Sequence, residues 1–437
     1  MKPRTLLLVF TAFPLAAACS GTHGDSGFGG PGSSGGGSGG GSGSSSGGGS
    51  SSGASSDGGQ VVGTFGDSGS VTPPKGCQYQ DSQDHDGDGF AFTQGDCNDC
   101  DPNTNPGAFD VPKDGVDEDC DGKVDDEPTG CDSAAVLDSP DPYNAALAID
   151  LCRKTTEIAM GPQRTWGVVD ATFIAPDGSD NCGGASCVGN ANFQLGHGNP
   201  ATFGANKPQQ GAHMLAISSG TARAPADPGY QDVAGFDKMF TVGAAAGFPV
   251  AAPACPGVVT GQPHDGAALR LVIRVPTNAQ SFSFNENFFS YEFPDYICST
   301  YNDTFVVEMA PKLASLPNGN VAFDSAGNPI SVNNGLLQVC DPQMAGGKNF
   351  TCPLGSSALT GTGFGKDTAG TNHAATGWLT TTVNVDPSLK GKDITLLFAI
   401  WDSGDGVLDS TAIIDNLTWS TQPGSNTPVT TPTPNPQ

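Results

Sequence analysis

Between Asp84 and Glu127 carboxylates occupy alternate positions twice, at Asp84, Asp86 and Asp88 and again at Asp117, Asp119 and Asp121, and each run closes on a glycine, Gly89 or Gly122. Like charges this dense repel unless a cation holds them. Alternating Asp side chains closed by a glycine turn let one short loop gather oxygen ligands for a hard cation. Measured against an EF-hand loop, Asp84, Asp86 and Asp88 take positions 1, 3 and 5 and Gly89 position 6, but position 12 falls on Gly95 with Asp96 one place later. The intervening segments are short and rich in Pro and Asn, so helices cannot flank each loop. The stretch is expected to be a loop module braced by cysteines and ordered by metal and disulfides. Its expected ligands are Asp84, Asp86, Asp88, Phe90, Asp96, Asp99, Asp117, Asp119, Asp121 and Asp125, and the expected ion is Ca2+. A solvated acidic linker is the alternative.

Asp84–Phe90, then Gly95-Asp96-Cys97-Asn98-Asp99, Asn105-Pro106-Gly107-Ala108 and Asp114–Gly122 together resemble the MopE-type metal-binding repeat of bacterial surface proteins. The family name points to copper, but these ligands are hard oxygens, and His85 alone does not make a copper site. Pro112 stands where the family usually has a cysteine, and Cys100 is extra. The partners of Cys77, Cys97, Cys100 and Cys120 therefore stay open.

The 437 residues carry a net charge of −27 with only 18 Lys and Arg. This argues against nucleic acid, which needs a basic patch, and calcium is expected to supply the missing positive charge. Lys2 and Arg4 precede an apolar run from Leu6, and Ala16-Ala17-Ala18 leads into Cys19, the pattern of an export signal. The small residues before Cys19 resemble the lipobox of bacterial lipoproteins, which implies acylation of Cys19 and a membrane anchor. Ordinary secretion is the alternative. Setting Cys19 aside leaves twelve of the 13 cysteines, an even number that suits an exported, disulfide-bonded chain. Residues 20–75 are almost wholly Gly and Ser and are expected to be a disordered tether. The GDSG runs at Gly24–Gly27 and Gly66–Gly69 lie inside that sequence and lack the packed barrel their catalytic use requires.

From Cys131 to Ser420 the chain is expected to be mainly β, a jelly-roll-like sandwich with one short N-terminal helix over Asp141–Cys152, capped by Asp141 with Pro142 in its first turn. Expected strands are Thr165–Ile174, His213–Ser218, Ala268–Val275, Gln280–Asn285, Thr304–Met309, Asn320–Phe323, Gly377–Asn384, Ile394–Trp401 and Ser410–Ser420. Cys131 and Cys152 flank the helix and are expected to pair. Cys182 with Cys187 and Cys340 with Cys352 bracket local loops, leaving Cys255 and Cys298 as a long-range pair. The Pro/Thr-rich segment 421–437 is expected to be disordered.

Ser281–Val306, Asn320–Asn334 and Thr395–Trp419 resemble the choice-of-anchor L domain of bacterial surface proteins. The resemblance implies surface display and a β-sandwich, and it implies no reaction. Glu292, Asp303, Asp402, Asp405, Asp409 and Asp415 form a possible second metal set, although Asp402, Asp405 and Asp409 also suit turns that bond nearby amides. Phe282, Phe284, Phe288, Phe289, Tyr291, Phe293 and Tyr296 suggest either core or a sugar-stacking surface. No histidine adjoins a nucleophile or makes a metal pair.

The expectation is therefore a non-enzymatic cell-surface lipoprotein of a Gram-negative outer membrane. The acidic module is its stalk, and the sandwich binds an unidentified glycan or protein. A polysaccharide-acting enzyme or its carbohydrate-binding module, and a purely structural envelope protein, are the alternatives.

Overall fold

The computed structural model describes residues 77–437 apart from Pro317. The expected signal, Cys19 and the tether lie outside the described residues. The chain forms strands β1 (Gly167–Ile174), β2 (His197–Gly198), β3 (Leu215–Ser218), β4 (Pro263–Arg274), β5 (Ser281–Ser290), β6 (Thr304–Ala310) and β7 (Ile330–Ser331). These are followed by β8 (Gln343–Ala345), β9 (Lys348–Phe350), β10 (Ala374–Ala375), β11 (Leu379–Asn384), β12 (Asp393–Ser403), β13 (Ser410–Ser420) and β14 (Val429–Pro432). One sheet runs β1-β4-β12-β6-β7. The other runs β14-β11-β5-β13-β3-β2 with β10 also on β5, and β8–β9 is a separate hairpin. All pairings within these sheets are antiparallel. The chain crosses from one main sheet to the other between β4 and β5, β5 and β6, β11 and β12, and β12 and β13. This makes a jelly-roll-like sandwich.

Alternation places the core. On β5, Phe282, Phe284 and Phe288 face inward and are fully buried, and the Phe284 ring meets Phe398 of β12 edge-on at 5.5 Å. Truncating such a phenylalanine to alanine costs about 3–5 kcal/mol. β12 reads as an almost continuous apolar run because both of its faces are covered. Leu396, Phe398 and Ile400 enter the inter-sheet core, while Leu397, Ala399 and Trp401 meet Ala245 and Phe248 outside it.

The helix α1 (Pro142–Leu147) starts as expected, with the Asp141 carboxylate accepting from the Tyr143 amide at 3.0 Å, but it is shorter than the expected 141–152. The chain turns at Asp150, whose φ is 68°, so that Leu151 can bury and Cys152 can reach Cys131. A second short helix, α2 (Ala191–Leu195), capped by Asn190, was not anticipated. Asn320–Phe323 makes only isolated bridges. The Asn320 side-chain oxygen accepts from the Val307 and Ala322 amides, which competes with a regular ladder. The tail is likewise corrected. Val429–Pro432 forms β14 on the edge of β11, because its β-branched residues fit a pleat and its proline ends an edge strand. The Thr430 hydroxyl lies 2.7 Å from that of Thr381 and accepts from the Phe323 amide at 3.2 Å.

The disulfides Cys131–Cys152, Cys182–Cys187, Cys255–Cys298 and Cys340–Cys352 are as expected, and the open set resolves as Cys77–Cys100 and Cys97–Cys120. The acidic module does not stand away from the sandwich as a stalk. Phe109 joins the main core. The Asn278 side chain accepts from the Phe109 amide at 3.1 Å and donates to its carbonyl at 2.8 Å, and the Thr277 amide donates to the Gly107 carbonyl at 2.9 Å.

Glu286 sits fully buried on β5. One carboxyl oxygen accepts from the Thr381 hydroxyl at 2.7 Å, and burial pushes its pKa up to about 8. A folded pKa raised above the unfolded value means the folded state binds the proton more tightly. Its contribution is then fully present below the unfolded pKa and is lost as pH rises through the folded value. Wild type should lose about 1.4 kcal/mol per pH unit from this group between about pH 4.5 and 8. Glu286→Gln should remove that slope. Denaturant titrations of both proteins across this range test it, and identical slopes would refute it.

Candidate metal centre

Asp84, Asp86, Asp88, Asp96 and Asp99 converge in the first half of the module. Carboxylate oxygens of Asp84, Asp86 and Asp99, and of Asp86, Asp88 and Asp96, lie within 4.8 Å of one another in each group. The loop is shaped by both oxygens of Asp84 and by one oxygen of each other side chain. Asp84 accepts from the Gly87 and Gly89 amides at 2.6 and 3.0 Å, Asp88 from Phe90 at 2.7 Å, Asp96 from Asn98 at 2.8 Å and Asp99 from His85 at 2.7 Å. Gly89 holds φ at 99°, a left-handed turn that glycine adopts without strain. The second oxygens of Asp86, Asp88, Asp96 and Asp99 are buried without a hydrogen-bond partner. Orphaned buried acceptors facing one another are costly and fit a cation. Burial first, and then the neighbouring Asp charges, push Asp88 up to about 8 and Asp96 up to about 7. Phe90 enters the loop through its amide bond to Asp88, and its side chain is buried.

The second half gathers Asp117 and Asp119 with Asp110, and Asp119 and Asp121 with Asp126. Its electrostatics differ. Arg153 from the sandwich lies 2.6 Å from Asp119 and 3.5 Å from Glu127, and Lys123 pairs with Asp121 and Asp126 at 3.0 and 2.8 Å. Asp125 turns away and accepts from the Asp114 and Gly115 amides. Asp110, which holds the Glu118 and Asp119 amides at 2.9 and 3.1 Å, and Asp126 escaped sequence reasoning because they lie off the alternating pattern. Among the described residues no ion pair reaches the first cluster, so it is the stronger cation site.

In the sandwich, Glu292, Asp303, Asp402 and Asp409 come together, and Asp405 stands exposed beside them with its carboxylate on the Val407 amide. Burial, reinforced by the neighbouring carboxylates, raises Glu292 to about 11 and Asp303 to about 8 and lifts Asp402 and Asp409 well above the carboxylate range. Asp415 does not belong to this set. It lies midway along β13, accepts from the Gln209 and Gln210 amides and feels the charge of Asp150, which in turn faces Asp132. Proximity in sequence to Asp409 hid the fact that β13 carries the two apart.

Phe282, Phe284, Phe288, Phe289 and Phe293 are fully buried and offer no stacking surface. Tyr291 stacks on His373 at 3.4 Å and Tyr296 meets Tyr301 edge-on at 5.1 Å. His85 lies 3.1 Å from Asp81 and forms a group with Asp81 and Asp99, one nitrogen among oxygens.

A family model described as "Putative metal-binding motif", of the copper-binding MopE type, matches residues 96–126. That span contains Asp96 and Asp99 of the first cluster and Asp110–Asp121 of the second, whereas Asp84–Asp88 precede it. No curated protein matches the chain.

Cation binding must displace the protons that burial favours on Asp88 and Asp96. Affinity should therefore climb between about pH 6 and 8 and level off above. Without metal the sign reverses: raised carboxylate pKa values make folded stability fall as pH rises over the same range. Asp88→Asn should weaken binding by at least roughly 10–100-fold, the loss seen for an outer-shell partner alone. Calorimetric titration at three pH values reads both effects, and a flat pH profile would refute the assignment.

Proposed function

We propose that this chain is an exported, lipid-anchored cell-surface protein whose sandwich binds or adheres and whose module holds Ca2+. The observation that carries the reading is the docking of the acidic module on the sandwich. A groove of about 390 Å³ lies at that junction, lined on one side by Trp166, Leu417 and Trp419 and on the other by Asp110, Asp125 and Glu127. Trp166 and Trp419 meet edge-on at 6.3 Å, and the indole N–H of each is buried without a partner. The half-buried Trp419, backed by the buried Trp166 and set beside polar acceptors, suits a polyhydroxylated ligand such as a glycan. Hard oxygen ligands, with one nitrogen nearby, favour calcium over copper. Disulfides accounting for every cysteine of 77–437 agree with export, and the resemblance to anchored surface domains supports display.

Chelation should lower the melting temperature of the protein, and no shift with EDTA would sink the calcium reading. Cys19→Ala should release the protein from membranes. Binding on a glycan array that Trp419→Ala abolishes would support the groove, whereas a blank array points to a protein ligand or a scaffold.

A further inference from the structure

We infer that Glu292, Asp303, Asp402 and Asp409 enclose a second divalent cation, separate from the module, that clips the two sheets of the sandwich together. Strand register brings the four together. In the β12–β6 pair Trp401 lies opposite Thr304, which brings Asp402 beside Asp303, and the Ser403 amide donates to the Asp303 carboxylate at 3.1 Å. In the β13–β5 pair Ser410 lies opposite Ser290, and the Tyr291 amide donates to the Asp409 carbonyl at 3.1 Å, leaving Glu292 next in line. Two carboxylates thus come from each sheet, all at one end of the sandwich.

None of these side chains is more than 1% exposed. Both oxygens of Asp402 and both of Asp409 make no hydrogen bond, nor do one oxygen each of Glu292 and Asp303 or the buried Ser403 hydroxyl. Hydrogen bonding therefore does not account for this cluster, unlike the turn carboxylates of the surface loops. The charges of Asp303, Glu292 and Asp409 all bear on Asp402. Lys238 is the nearby buried cation, but its ammonium donates to the Ser218 carbonyl at 2.9 Å and forms no ion pair with the four. One ammonium leaves several negative charges uncompensated, and ionised carboxylates stay buried only when paired or coordinating a metal. The wall is built for close approach. A side-chain carbon on Gly220 would overlap the Asp409 carboxylate, and the Ser219 hydroxyl holds the Ser410 amide at 2.9 Å.

Several carboxylates in a closed, all-protein cage match calcium, which takes six to eight oxygens in flexible geometry. Magnesium keeps its waters and fits such a cage poorly. The site is independent of the module reading, and its test separates the two. The purified full-length chain is passed over chelating resin and its residual metal counted by plasma mass spectrometry. Wild type should retain this calcium, and Asp88→Asn with Asp117→Asn should retain it too. Asp402→Asn should lose one equivalent and melt several degrees lower. Equal metal content in wild type and Asp402→Asn, or folded wild type without metal, would overturn the inference. If Asp402→Asn does not fold, anomalous scattering from crystals of wild type grown with calcium decides. A calcium peak amid the four carboxylates is expected, and its absence refutes the site.

Discussion

Buried negative charge without a protein counter-charge governs this structure. In the module Asp86, Asp88, Asp96 and Asp99 each give one oxygen to a backbone amide, which bends the loop, and turn the other inward without a partner, whereas Asp84 spends both oxygens on the Gly87 and Gly89 amides. The loop's shape and its charge problem are thus one construction. Where the protein supplies its own cation the outcome changes. Arg153 reaches across from the sandwich to Asp119 and Glu127, so neutralising the second cluster also fastens the module down. A buried pair of this kind adds little net stability, but removing one partner typically costs about 3–5 kcal/mol because the other is stranded. Arg153 is better seen as fixing position than as adding strength.

The two acidic centres sit at opposite ends of the sandwich, and the strands explain why. The module touches Thr277 and Asn278, just before β5 begins, and β12 begins at that same end, where Asp393 pairs with Arg274. β5 and β12 then run away from the module and end at Ser290 and Ser403, beside Glu292 and Asp402. β13 returns from Asp409 to Trp419, which lines the junction groove. A ten-residue strand spans about 33 Å, so neither centre feels the other's charge. The aromatic core of β5, meeting β12 through Phe284 and Phe398, is the rigid body between them.

Much of this was legible in the sequence, for identifiable reasons. Strand limits were clearest where turn residues bracket alternation, as at Ser410–Ser420, and the braces followed from loop-flanking cysteines. The first-cluster Asp residues were visible because their period is local. What stayed hidden depends on tertiary context. The helix after Asp141 yields early because Leu151 and Cys152 have destinations elsewhere. The tail looked disordered by composition, yet β11 offers an open edge on which threonines pair. Asp110, Asp126, Asp132 and Asp150 gain meaning only from neighbours far along the chain. Asp415 shows the converse error, since a strand separates residues that sequence places close together.

The two centres also differ in kind, and the difference follows from burial. In the first module cluster Asp84 is exposed and Asp86 and Asp88 are half-buried, so an ion there keeps a route to solvent and exchanges with it. The sandwich carboxylates are closed off on both sheets and by the 218–220 segment, so an ion there enters only if the strand ends part. Loss of a module ion would leave the β5–β12 core intact and chiefly loosen the loops between Cys77 and Cys120, which their own disulfides still hold. Loss of a sandwich ion would strand like charges between β6, β12 and β13, where Lys238 is one ammonium against four carboxylates. Presentation of the junction groove, walled by Asp110, Asp125 and Glu127, thus rests on Arg153 and the second cluster, and integrity of the sandwich on the sealed centre.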